Sequence, residues 1–90
     1  MIFELYKEDQ YFMINLLHHT HLTGLIKNIR RAKISQECDE FVLCKLALND
    51  SEELVGQLSF EANHNMNKRV AQRSSEIADN IESQLNCRDA

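Results

Sequence analysis

The sequence predicts an all-α fold: a small bundle of three or four helices with a long C-terminal helical segment, in one helical domain over residues 1–90. Three observations carry that expectation. Pro is absent and Gly is limited to Gly24 and Gly56, which disfavours a loop-rich or all-β chain. Apolar residues recur at helical spacing along most of the chain. A marked helix start, Asn49-Asp50-Ser51 followed by Glu52 and Glu53, precedes the longest of these stripes.

The predicted helices span about 9–33, 36–48, 51–63 and 66–86, the last two open to fusion. Met1 to Tyr6 reads as a strand-like arm or an early helical turn. In the first helix, Tyr11, Asn15, His18, Leu22, Leu25, Ile29 and Ala32 form a heptad-like seam, widened by Phe12, Met13, Leu16 and Leu17. Gly24 inside it marks a close crossing, a kink, or a turn between two shorter helices. That last option is a helix-turn-helix, whose pattern is matched poorly, with Thr20 at a small-residue position and Arg30 at a buried one. Lys33 to Gln36 is the first connection, with Ser35 as cap. The second helix, with Phe41, Val42, Leu43, Cys44, Leu46, Ala47 and Leu48, is apolar almost all round. Short apolar runs are ambiguous, however, and a hairpin with strands over 40–48 and 54–62 competes with it.

From Ser51 to Leu85 the stripe runs Leu54, Leu58, Ala62, Met66, Val70, then Ile77, Ile81 and Leu85. An unbroken helix of that span measures about 50 Å, against about 30 Å for a compact chain of this size. The segment therefore folds back near Asn65, within the Asn-rich run 63–67, or protrudes. The expected core is Ile14, Leu22, Leu25, Ile29, Phe41, Leu46, Leu58, Val70, Ile77 and Ile81.

Composition restricts function. The net charge of −4 disfavours a general nucleic-acid binder. No apolar run approaches a membrane span and no signal peptide is visible, so a cytoplasmic setting without a membrane partner is expected. Cys38, Cys44 and Cys87 are odd in number and lack metal-type spacing, which reads as reduced thiols. His18-His19-Thr20-His21 is the most unusual local composition. With His64 as a third ligand it is a conceivable zinc site, but it lacks a nearby acidic or Cys ligand and reads better as a polar patch. No phosphate loop, nucleophile elbow or paired carboxylate set is present, so neither an enzyme nor a cofactor is expected.

The functional expectation is a small non-enzymatic protein-interaction module that binds through amphipathic helices. Its first expected partner is a second copy, a homodimer formed through Met66, Val70, Ile77, Ile81 and Leu85. The alternative is a small nucleic-acid-binding transcriptional regulator using the basic residues Lys27, Arg30, Arg31, Lys68, Arg69 and Arg73.

Overall fold

A computed structural model describes residues 2–87 of the chain. These residues form four helices and a three-stranded antiparallel sheet. The fold is mixed α and β, which overturns the all-α helical bundle expected from sequence. The order is β1 (Ile2–Tyr6), α1 (Lys7–Leu17), α2 (Thr23–Arg30), β2 (Lys33–Ile34), β3 (Phe41–Lys45), α3 (Leu48–His64) and α4 (Lys68–Cys87). The chain divides into two compact units, residues 1–47 and 48–90.

The first unit is built on the sheet, with strand order β1-β3-β2. β3 is central and antiparallel to both neighbours. Ile2 lies opposite Lys45 and Tyr6 opposite Phe41 in one ladder, and Lys33 lies opposite Leu43 in the other. The Lys7 N–H donates to the Glu40 carbonyl at 2.8 Å and extends the first ladder by one residue. Side chains alternate across a strand, and both long strands show that alternation in burial. Phe3, Leu5, Val42 and Cys44 are buried on the face that α1 and α2 pack against, together with Met13, Leu17, Leu25 and Ile29.

Two expected helices are corrected here. The predicted helix over 36–48 is strand β3 and its preceding loop. A run of five apolar or β-forming residues is too short for periodicity to assign, and pairing with β1 along the whole ladder decides it. The competing hairpin placed one strand correctly, but its second strand, 54–62, is helical. The predicted helix over 9–33 is two helices. Thr20 holds the break: its hydroxyl donates to the Leu17 carbonyl at 2.7 Å and accepts from the Leu22 N–H at 3.3 Å. A Thr side chain competing for backbone groups in this way ends a helix. The seam shifts accordingly, to Met13 and Leu17, leaving Tyr11, Asn15 and His18 exposed.

The second unit is a helical hairpin. α3 begins at Leu48, three residues before the expected start, so Ser51 lies inside the helix and is buried. The chain folds back at Asn65-Met66-Asn67. The Asn67 side-chain oxygen accepts from the Arg69 and Val70 N–H groups at 3.0 and 3.3 Å and caps α4. Asn65 closes the turn, accepting from the Asn67 N–H at 2.9 Å. The buried residues on the two helices follow one pattern: Ser51, Leu54, Val55, Leu58 on α3 and Ser74, Ile77, Ala78, Ile81 on α4. Each set sits at the same distances in sequence from Met66. Counting outward from the turn sets Leu58 level with Ser74, Leu54 with Ala78, and Ser51 with Ile81, a small residue against a large one in each case.

Of the expected core, Leu25, Ile29, Leu46, Leu58, Ile77 and Ile81 are buried, whereas Ile14, Leu22, Phe41 and Val70 are only partly covered. No described helix is long and apolar enough to cross a membrane.

Candidate protein-binding surface

Within the first unit, α1 and α2 cover one face of the sheet and leave the opposite face open. Ile2, Glu4 and Tyr6 of β1, Phe41, Leu43 and Lys45 of β3, and Lys33 of β2 share that face by register. An antiparallel sheet packed on one side ordinarily presents polar residues on the other. Here Ile2 is 65% exposed, Tyr6 52% and Leu43 43%. The Tyr6 and Phe41 rings meet at a centroid distance of 4.7 Å and an interplanar angle of 33°. The result is an apolar strip with Glu4, Lys33 and Lys45 on or beside it.

A second feature of the same unit is a groove of about 550 Å³. Lys7, Gln10, Tyr11 and Ile14 of α1 form one wall at helical spacing, with Arg30, Ala32, Ile34 and Val42 completing it. Gln10 fixes the wall by donating to the Ile29 carbonyl at 2.9 Å and the Ala32 carbonyl at 3.5 Å. Two cations and no carboxylate line this groove.

The residues singled out by sequence are distributed differently. Ile77 and Ile81 are 2% and 0% exposed within the helical hairpin, while Val70 and Leu85 are partly covered and Met66, in the turn, is 98% exposed. Lys27, Arg30 and Arg31 lie at the C-terminal end of α2, in the first unit, where cations suit the helix dipole, and Arg30 reaches the groove. Lys68 and Arg69 lie in the first turn of α4, and Arg73 one turn on, in the second unit. His18, His19 and His21 are exposed around the α1–α2 turn, with His18 and His19 in edge contact. His64 stacks on Phe60 at 4.3 Å and hydrogen-bonds its carbonyl. Among the described residues no three His, Cys, Asp or Glu side chains converge to hold a metal ion. Cys38 and Cys44 are free thiols, and burial pushes the Cys44 thiol up to about 11.

Sequence reasoning missed Ile2, Tyr6 and Leu43 as surface residues. The sequence carried only a weak signal, a short β-forming run interrupted by Glu4, and the alternation of buried and exposed residues along β1 appears in the structure. No protein-family model, curated protein or solved structure matches the chain.

Proposed function

We propose that the chain is a non-catalytic protein-interaction module that acts as an adaptor, regulator, chaperone or inhibitor by occupying a partner's surface through the open face of its sheet. One observation carries this reading: Ile2, Tyr6 and Leu43 present apolar side chains to solvent from adjacent strands of a sheet whose other face is already packed. Contiguous exposed apolar surface of this kind marks contact sites on small proteins. The rigid ladder beneath it suits docking without reorganisation. We also propose a cytosolic setting, from the odd number of Cys in the sequence and their lack of metal-type spacing.

The test is a comparison of the unaltered chain with a Tyr6→Lys, Leu43→Lys variant, each immobilised in extract of the native host and treated with a lysine-reactive cross-linker. Both substituted residues are exposed, so the variant keeps its circular-dichroism spectrum. Captured proteins should be lost from the variant, and cross-links to the unaltered chain should concentrate at Lys33 and Lys45. Retention of the same proteins by both chains would exclude the open face as the contact surface.

A further inference from the structure

The open face carries its charges in a particular order. Glu4 and Lys33 both lie opposite Leu43, one in each ladder, so Glu4, Leu43 and Lys33 form a single row across the three strands. The row reads negative, apolar, positive. Neighbouring strands are about 4.8 Å apart, so the two charges stand about 10 Å apart on either side of Leu43.

We propose that two copies of the chain pair open face to open face about a twofold axis that runs along β3 and passes over Leu43. This inference rests on the reading of the open face as the contact surface. Stacked sheets pack about 10 Å apart with their strands roughly aligned, the spacing that two layers of Leu and aromatic side chains fill. A twofold pair of such sheets has two simple arrangements. With the axis across the strands, β1 covers the partner's β1, so Glu4 faces Glu4 and Lys33 faces Lys33. With the axis along β3, β1 covers the partner's β2, and Glu4 faces the partner's Lys33 twice over. Opposed like charges destabilise and opposed unlike charges stabilise, so the antisymmetric row selects the second arrangement.

The centre of the face fits that axis, while Ile2, at the far end of β1, reaches past the partner's two-residue β2. Leu43 meets the partner's Leu43 at the centre. Phe41, with Tyr6 against it, meets its own counterpart and gathers four rings. Lys45 is the one residue set against its own charge. It ends β3, where its long stem lets the ammonium reach water. The face is small: three strands, one of only two residues. It falls below the roughly 800 Å² per partner of a standard interface, so the dimer is weak and concentration-dependent.

Sedimentation equilibrium at low salt, up to about 0.5 mM chain, reads the result. The unaltered protein should show a reversible monomer–dimer equilibrium. Glu4→Lys and Lys33→Glu should each weaken it by about tenfold or more, because each reversal creates two like-charged pairs in the symmetric dimer. The double swap, Glu4→Lys with Lys33→Glu, should restore the association. Circular dichroism confirms that each variant is folded. A single monomer mass at the highest concentration, or a double swap no better than either reversal, would overturn the proposed pairing. If capture of other proteins still depended on Tyr6 and Leu43 in that case, the pairing alone would fall. If capture were also indifferent to them, the reading of the face itself would fall.

Discussion

Cys44 lies near the end of β3 with no solvent exposure, and burial raises its thiol pKa from 9.0 to about 11. The thiolate is the nucleophile, so the folded protein keeps Cys44 inert at neutral pH. A disulfide reagent at pH 8 should modify Cys38, which is partly exposed, and should reach Cys44 only at the rate of unfolding. Equal and immediate labelling of both would contradict the burial. The same shift fixes a pH trend. Between pH 9 and about 11 the unfolded chain has released the Cys44 proton and the folded chain still holds it, so stability falls as pH rises through that window. Urea titrations at pH 8 and pH 10.5 should differ in that direction. Replacing Cys44 with Ala should remove this contribution along with some packing. Single residues also decide where helices stop and start. Thr20 and Asn67 use their side-chain oxygens on backbone N–H groups that would otherwise lack partners.

At the scale of elements, α3 carries an avoidable cost. Gly56 lies within it, exposed, and a Cβ placed there meets no atom within 4 Å. Glycine in a helix interior costs about 1 kcal/mol relative to Ala. Gly56→Ala should therefore raise stability by about 0.5–1 kcal/mol, read as a higher urea midpoint at unchanged slope. A lower midpoint would contradict the open space that surrounds this position. The hairpin also bears on the dimer surface expected from sequence. Ile77 and Ile81 are already buried, so a second copy reaches them only if the hairpin opens. The strands show how elements outrank local preference. Leu43 and Cys44 carry no strong strand signal, yet β3 is held by a five-residue ladder on one side and a two-residue ladder on the other.

At the scale of the whole molecule, charge is divided unevenly. Residues 1–47 carry six Lys or Arg and six Asp or Glu; residues 48–90 carry four and eight. The entire net charge of −4 thus belongs to the second unit, which also holds Lys68, Arg69 and Arg73. A basic cluster on an acidic unit is poorly placed to follow a phosphate backbone. Binding of the chain to duplex DNA or to RNA should therefore be undetectable even at low salt. If binding appeared, with a steep salt slope flattened by neutralising Arg30 and Arg31, the nucleic-acid reading would displace the protein-interaction one.

Features set by short-range chemistry were legible in the residues alone. The turn near Asn65 follows from the poor helix propensity of the Asn-rich run together with a segment too long for a compact chain. The C-terminal helical stripe with Leu58, Ile77 and Ile81 inside it follows from apolar spacing. The sheet came only from long-range pairing. β1 and β3 are separated by 34 residues of intervening chain, Lys7 to Glu40, and a five-residue run becomes a strand only when a distant partner supplies its hydrogen bonds. The candidate surface was hidden for the same reason. Until β3 was known to lie between β1 and β2, nothing could place Glu4, Leu43 and Lys33 in one row, because cross-strand register is a property of the pairing and not of any of the three segments.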